Sequence, residues 1–268
     1  MTFATSMHCF FAEDHLPMDQ PLPVPETEIS LTFAKGLEVL RAFDGGQTDM
    51  TVADIARKVG HTRAATRRLV RTLECLGYVK GIEQRYRLTA RALKLGLGFL
   101  QSRSIGHLVG PVLRAESLAL GESISLALLD AMEAIYVFHN PADKVAEMAG
   151  HTIGSSMPLA TTATGQAICA FLPSKVQQQV LTISKLSDVE HGELTRHLTE
   201  ISVQGFALKD ISPQGDLRAL GVPAFNLDGD VAGALSIVFP VSRYDDAQIR
   251  HSLVPHLQRC ATYLVSAL

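Results

Sequence analysis

The sequence predicts an α+β protein in which an N-terminal winged helix-turn-helix and a linker helix precede a larger domain around an antiparallel sheet. Two observations lead to this fold class. Residues 51–88 have the pattern of two short helices followed by a β-hairpin. Beyond residue 120 the apolar pattern becomes that of strands, joined by both hairpins and helices. We expect a tail over residues 1–29, the winged helix-turn-helix over 30–89, the linker helix over 90–105 and the larger domain over 106–268.

The first helix and the turn of the helix-turn-helix are predicted by local signals. Gly60 can adopt the positive φ that ends the first helix. Thr62 can cap the second helix by accepting a backbone N–H. The first helix is predicted by apolar residues three and four positions apart, namely Val52, Ile55, Ala56 and Val59.

The second helix combines inward leucines with a row of arginines spaced by four. The chain then turns back at Gly81 in a basic hairpin. Guanidinium groups in such a row match phosphate oxygens and guanine edges, whereas the alternative is an ordinary solvated helix face. We expect Leu69, Leu73 and Leu76 to face inward. We expect DNA contacts from Arg63, Thr66, Arg67, Arg68, Arg71, Arg85 and Arg87.

Two further helices flank this motif. A supporting helix is predicted from Leu31 to Phe43, with Phe33, Leu37 and Leu40 inward. The linker helix, which Thr89 can cap, is apolar on more than one face. It is expected to pack either against a partner subunit or within the same chain.

Charge is distributed unevenly. Residues 31–91 hold 12 basic and 6 acidic side chains, although the whole chain has a net charge of −3. A basic N-terminal segment on an acidic remainder is typical of a protein that meets a polyanion at one end.

The cysteine and histidine pattern predicts no metal site. No CxxC or HExxH pattern occurs among the four cysteines and ten histidines. We expect buried thiols in a reducing cytoplasm and no cofactor. No apolar run is long enough to span a bilayer, so no membrane partner is expected. The cysteines are Cys9, Cys75, Cys169 and Cys260.

The elements of the larger domain follow from its apolar runs. A helix is expected from Gly106 to Leu120, interrupted by Pro111. Strands are expected over residues 123–129, 134–138, 206–209, 217–225 and 231–239, with 145–149 as a further candidate. Helices are expected from Thr161 or Thr162 to Pro173 and over residues 175–182, 193–204 and 245–268.

The segment Gly154–Gly165 reads as an irregular loop that leads into a helix N-terminus. The N–H groups of Ala163, Thr164 and Gly165, together with nearby hydroxyls, suit a carboxylate. The alternative is a plain N-cap, for which either Thr161 or Thr162 would suffice.

Three segments in this order resemble the IclR family of bacterial transcription regulators. They are TVADIARKVGHTRAATRRLVRTLECLGYV, GSSMPLATTATGQAICAFLP, and GFALKD followed by RALGVPAFNLDGDVAGALSIVFP. The TRAATRR helix is similar to that of the branch governing p-hydroxybenzoate and protocatechuate catabolism. The resemblance implies a linker helix that dimerises and a GAF/profilin-like C-terminal domain that binds small carboxylic acids.

The resemblance also implies a set of effector-binding residues. Two of them, Ala219 and Val238, are less polar than is usual for the family, which favours an aromatic effector such as a hydroxybenzoate. Asp210 is implied as an acidic partner, although a turn carboxylate is the plainer reading. The full expected set is Met157, Thr161, Thr162, Ala163, Thr164, Asp210, Ala219, Ser236 and Val238.

These observations predict an effector-responsive DNA-binding regulator of aromatic-acid catabolism, not an enzyme. Its expected partners are a double-stranded DNA operator, a small aromatic carboxylate and a second copy of the chain, as a homodimer or a dimer of dimers. Two alternatives stay open. One is a small-acid-processing enzyme with a vestigial DNA-binding domain, although no GxSxG motif is present. The other is an effector-independent DNA-binding repressor.

Overall fold

The computed structural model describes residues 28–43, 49–102, 105–140, 152–211, 216–265 and 268. The predicted tail and the candidate strand 145–149 lie outside these residues, apart from the last residues of the tail. The described residues fall into two compact units, one up to Leu100 and one from Gln101. No helix in the described ranges is both long and apolar enough to cross a membrane.

The first unit contains the predicted helix-turn-helix and hairpin. A three-stranded antiparallel sheet has the order β1-β3-β2. Its elements are α1 (Leu31–Arg41), β1 (Met50–Thr51), α2 (Val52–Lys58), α3 (Arg63–Cys75), β2 (Val79–Ile82), β3 (Arg85–Leu88) and the start of α4 (Ala90–Ser102).

Side-chain caps fix where α2 and α3 begin. Thr51 and Asp54 form a reciprocal capping box at the start of α2. The N–H of Ala65 donates to the Thr62 hydroxyl over 3.3 Å, so the predicted Thr62 cap is confirmed. Gly60 has a φ of 69°, which confirms its role in the turn.

The inward faces of α1 and α3 are rotated relative to the sequence prediction. Val39 is buried in α1, whereas Phe33 is 68% exposed and Leu37 is also exposed. In α3 the buried residues are Thr66, Val70 and Leu73, while Leu69 is half-buried and Leu76 is exposed. The core stripe of α3 therefore runs through positions 66, 70 and 73, and Leu73 alone of the three predicted leucines lies fully in it.

Two smaller predictions for this unit are wrong. The hairpin turn lies at Glu83 and Gln84, both with positive φ, and Gly81 belongs to β2. Positive φ at both central residues is what a two-residue hairpin of matching twist requires. Cys75 is exposed, because it lies outside the core stripe of α3, whereas Cys169 and Cys260 are buried.

The second unit is built on a six-stranded antiparallel sheet with the order β6-β5-β4-β9-β8-β7. Its strands are β4 (Ile124–Asp130), β5 (Glu133–Asn140), β6 (Ser156–Pro158), β7 (Ala207–Asp210), β8 (Leu217–Phe225) and β9 (Val231–Pro240). Its helices are α5 (Gly110–Leu120), α6 (Ala163–Cys169), α7 (Ser174–Ile183), α8 (Asp188–Gln204) and α9 (Val254–Leu264).

Two prolines affect helices of the second unit. Pro111 lies in the helix that was predicted to be interrupted, and Pro255 lies in the helix that was predicted to be continuous. A π-helical turn at Ile105–Val109 directly precedes α5, and Pro111 lies in the first turn of α5, so the expected interruption at Pro111 is a change from π- to α-helical geometry. The closing helix begins at Asp246, passes through a π-helical turn at Ile249–Leu253 and continues as α9. Pro255 at the start of α9 cannot donate to the preceding turn, which fits that irregularity.

The sheet is covered on both faces. Helix α6, backed by α8, packs against β8 and β9 on one face, while α5 and α9 pack on the other. Because side chains alternate along a strand, Ala219 and Gly221 face α6, whereas Leu220 and Val222 face α9.

Helix α6 approaches the sheet unusually closely. A Cβ atom on Gly221 would lie 2.6 Å from the carbonyl oxygen of Ala163. A Cβ atom on Gly165 would overlap the backbone of Pro158 and Leu159. Both contacts are to backbone atoms, which cannot rotate away. The first turn of α6 is therefore held directly against the sheet.

We predict that Gly221→Ala destabilises the protein by about 1–3 kcal/mol, because the added methyl group overpacks this contact. Gly192→Ala in α8 is the matched control, since nothing lies within 4 Å of its Cβ position and alanine favours a helix. Urea unfolding of both variants measures the difference. Equal stability of the two variants would contradict the close approach.

Candidate functional site

The recognition surface is the outer face of α3. Arg63, Arg67, Arg68 and Arg71 are all exposed there. Within the described part of the chain, no carboxylate forms a salt bridge with any of the four guanidinium groups. Clustered cations without protein counter-ions are suited to a polyanion such as the DNA backbone.

Thr66 does not belong to this surface. Its side chain is fully buried, and its hydroxyl donates to the carbonyl oxygen of Thr62 over 3.0 Å. The expected DNA contact from Thr66 is therefore wrong. The helix turns by about 100° per residue, so the neighbouring Arg67 is exposed while Thr66 points into the core.

The hairpin is attached to α3 by a side chain. The N–H of Gly81 donates to the Glu74 carboxylate over 3.0 Å. A side chain at position 81 would collide with that carboxylate and crowd the Tyr86 ring. Arg85 and Arg87, both exposed on β3, are thus carried on a wing whose position relative to α3 is fixed.

The first turn of α4 is attached to the end of α3. The Thr89 hydroxyl donates to the Gly77 carbonyl oxygen over 2.6 Å, and the Arg91 guanidinium donates to the Leu76 carbonyl oxygen. These bonds satisfy carbonyl groups at the C-terminal end of α3, where a cation is also favoured by the helix dipole. These bonds fix the first turn of α4 relative to the end of α3.

A row of polar residues crosses the sheet of the second unit on the face covered by α6. Ser236 on β9 pairs in register with Ser125 on β4, and Ser125 pairs with His139 on β5. The Ser125 hydroxyl lies 2.9 Å from Nδ1 of His139. Gly221 on β8 lies in register with Ser236, directly below the first residue of α6.

Tyr136 joins this row to the helix. Its hydroxyl lies 3.0 Å from the Thr164 hydroxyl and 3.4 Å from the Ser236 hydroxyl, and all three side chains are buried. Burial raises the pKa of Tyr136, so the phenol keeps its proton at neutral pH and can donate. A buried set of hydroxyls beneath a helix N-terminus could bind a carboxylate.

The structure brings most of the expected effector residues to this face. Met157, which pairs in register with Ala134, packs against the same core. Along that core lie Ala163, Ala219 and Val238, with the hydroxyls of Thr164 and Ser236.

Asp210 lies on the opposite face of the sheet. It pairs in register with Arg218, and the two side chains form an ion pair of 2.7 Å. Directly paired residues point to the same face, and Arg218 and Ala219 are consecutive, so Asp210 and Ala219 point apart. The expectation that Asp210 belongs with the other effector residues is wrong.

The structure distinguishes the two candidate capping threonines. The N–H of Gly165 donates to the Thr162 hydroxyl over 2.9 Å, so Thr162 is the N-cap. Thr161 is exposed and lines a separate cavity of about 260 Å³ together with Met132 and Val180. The segment 154–165 also contains β6, which the sequence reading missed.

Sequence reasoning also missed Tyr136, Ser125 and His139. Each is a polar side chain within an otherwise apolar strand, which was a usable signal. They lie beneath α6 because strands that are distant in the sequence pair with one another in the sheet.

The fold and the exposed cationic helix define a class of protein, a DNA-binding transcription regulator with a separate C-terminal domain. Residues 32–81 match the family described as IclR helix-turn-helix domain. Residues 97–266 match the family described as Bacterial transcriptional regulator IclR C-terminal. The chain therefore belongs to the IclR family of bacterial transcriptional regulators.

Similar proteins cover most of the chain. The Pca operon regulatory protein of Acinetobacter baylyi is 28% identical, over 88% of both chains. The p-hydroxybenzoate hydroxylase transcriptional activator of the same organism is 26% identical, over 86% of this chain and 89% of its own.

Solved structures share the fold. A putative transcriptional regulator of Rhodococcus sp. RHA1 is 30% identical with a TM-score of 0.73, over 90% of this chain and 98% of its own. An IclR homologue of Microbacterium hydrocarbonoxydans, solved with 4-hydroxybenzoate, is 21% identical with a TM-score of 0.73, over 88% of this chain and 98% of its own.

We predict that Tyr136→Phe destabilises the second unit by about 1 kcal/mol, because it removes a buried hydrogen bond. Tyr263→Phe is the matched control, since Tyr263 is 68% exposed, and it should change stability by less than about 0.5 kcal/mol. Denaturant unfolding measures both. A Tyr136→Phe variant as stable as the control would show that the hydroxyl network contributes nothing to folding.

Proposed function

We propose that this IclR-family regulator responds to a small aromatic carboxylate and controls genes of aromatic-acid catabolism. It binds an operator through α3 and the wing, and it binds the effector where α6 meets the polar row of the sheet. The exposed guanidinium row on a capped helix carries the DNA-binding part of the proposal.

The expected binding mode follows from the shape of the unit. Helix α3 enters a major groove, with Arg67 and its neighbours at bases and phosphates, and the wing arginines contact the backbone or minor groove. A dimer places two such helices in successive major grooves, roughly one helical turn apart.

Exposed apolar side chains support dimerisation through α1 and α4. Phe33 and Leu37 on α1 and Leu93 and Leu95 on α4 are all exposed in the single chain. Several exposed apolar side chains on one segment are typical of an interface between subunits. A second copy of this chain, as a dimer or a dimer of dimers, is the proposed partner.

The effector part rests on chemistry and on similar proteins. The N–H groups at the start of α6 and the hydroxyls of Tyr136, Thr164 and Ser236 suit a carboxylate and a ring hydroxyl. Alanine side chains at 219 and 234 supply apolar walls for a ring. Similar proteins named for the Pca operon and for p-hydroxybenzoate hydroxylase make hydroxybenzoates the first ligands to test.

Regulation requires that the effector prefer one arrangement of the dimer. A ligand with equal affinity for both arrangements changes nothing, however tightly it binds. In our proposal the bonds of Thr89 and Arg91 to the end of α3 carry the change in α4 to the recognition helix.

We expect Arg67→Ala to weaken binding to operator DNA by about 1–3 kcal/mol, the usual cost of a lost arginine contact. The probe is a duplex selected by the wild-type protein from random sequences, and affinity is measured by fluorescence anisotropy at fixed salt.

Thr66→Val is the control from the adjacent position, because Thr66 is buried and should leave DNA affinity unchanged. Arg196→Ala, an exposed arginine on α8, controls for the loss of one charge. If Arg67→Ala bound as tightly as both controls, α3 would not be the recognition helix.

We expect 4-hydroxybenzoate or protocatechuate to raise the melting temperature, since a ligand selective for the folded state stabilises it by about 2.7 kcal/mol at 100-fold above its Kd. The uncharged 4-hydroxybenzamide should not do so. Ser236→Ala should reduce the shift, because it removes a hydroxyl from the polar row.

Other outcomes would redirect this part of the proposal. An unchanged melting temperature across hydroxybenzoates and their ring-cleavage products would favour an effector-independent repressor. Turnover of any of these acids by the purified protein would favour the enzyme alternative.

A further inference from the structure

Three side chains of different chemistry converge on the far face of the sheet. Glu116 lies on α5, whereas His256 and Cys260 lie on α9. Residues four apart occupy the same face of a helix, so His256 and Cys260 both point toward α5. One ligand-type atom of each residue lies within 4.8 Å of the other two.

The cluster is largely shielded from solvent. The Cys260 side chain is buried, and the Glu116 and His256 side chains are 30% and 20% exposed. Nε2 of His256 is buried 2.7 Å from the Glu116 carboxylate, as an ion-pair contact without hydrogen-bond geometry. This contact leaves lone pairs of His256 and Glu116 poorly satisfied, and a cation held by both side chains would be coordinated by those lone pairs.

We propose that Glu116, His256 and Cys260 form a binding site for a transition-metal ion of the Zn²⁺ class. Thiolate and imidazole ligands select zinc-like ions over Mg²⁺ or Ca²⁺, which prefer oxygen. Three protein ligands leave the fourth tetrahedral position to water or to a small exogenous ligand. The site lies on the α9 face of the sheet and is distinct from the polar row under α6.

Cys260 and Cys169 are both buried thiols. Burial raises the pKa of Cys260 to about 11, and the negative charge of Glu116 adds to the rise. Cys169 has a pKa raised to about 12 by burial alone, and no histidine–carboxylate cluster accompanies it among the described residues. It is therefore a matched buried thiol outside the site.

The bound ion would tie α5 to α9. The two helices pack against each other on one face of the sheet, although Glu116 and His256 are 140 positions apart in the chain. Because the ion binds the folded arrangement, it should raise the melting temperature of the protein.

The test uses the full-length protein, stripped with a chelator and titrated with Zn²⁺ by calorimetry and with Co²⁺ by absorption spectroscopy. We expect one ion per chain and a thiolate-to-cobalt charge-transfer band. Cys260→Ser should abolish the band, and His256→Gln should lower Zn²⁺ affinity by more than the roughly 10–100-fold typical of outer-shell changes.

Three controls make the result decisive. Cys169→Ser should keep the band, since that thiol is remote from the cluster. Cys75→Ser tests binding by an exposed thiol. His197→Gln removes a surface histidine that also faces a carboxylate, Glu200, at 3.4 Å. The absence of a cobalt–thiolate band in the wild type, or its survival in Cys260→Ser, would overturn the proposal.

Discussion

The close approach of α6 to the sheet is the constraint on which the second unit depends. Glycine at 165 and 221 lets helix backbone meet strand backbone, where any side chain would hold them apart. Small residues around this contact, such as Ala163 and Ala219, complete the fit. As a result, Thr164 at the start of α6 reaches the Tyr136 hydroxyl. The same close contact therefore determines both the packing of the core and which residues form the candidate site.

In the first unit, the elements are positioned by hydrogen bonds at the ends of helices. Caps at Thr51 and Thr62 set the starts of α2 and α3. Thr89 and Arg91 then bind the carbonyl groups at the end of α3 and so fix the first turn of α4. Each bond satisfies a backbone group that a helix end leaves without a partner. The same bonds of Thr89 and Arg91 link α3 to the first turn of α4.

Local sequence signals predicted the elements well because their causes are local. The Thr62 cap, the Gly60 turn and the strands over 217–225 and 231–239 each follow from a few neighbouring residues. The predictions that were wrong depend instead on how whole elements pack together. Thr66 was expected at the surface and Leu76 in the core, whereas the structure has Thr66 buried and Leu76 exposed. Several apolar stripes are possible on α3, and only packing against Val39 and Ile55 selects one of them. Asp210 was implied by the family resemblance, and only the register of β7 with β8 shows that it points away from Ala219.

The sequence by itself determined the cationic helix, its caps, the order of elements and the family resemblance, since these depend on residue type and short spacing. The tertiary structure alone decided which distant residues meet. Tyr136 and Ser236 are 100 residues apart, and strand register brings their hydroxyls together. Glu116 meets His256 and Cys260 only because α5 and α9 pack on the same face of the sheet. Contacts of this kind depend on the packing of whole elements, which no short stretch of sequence encodes.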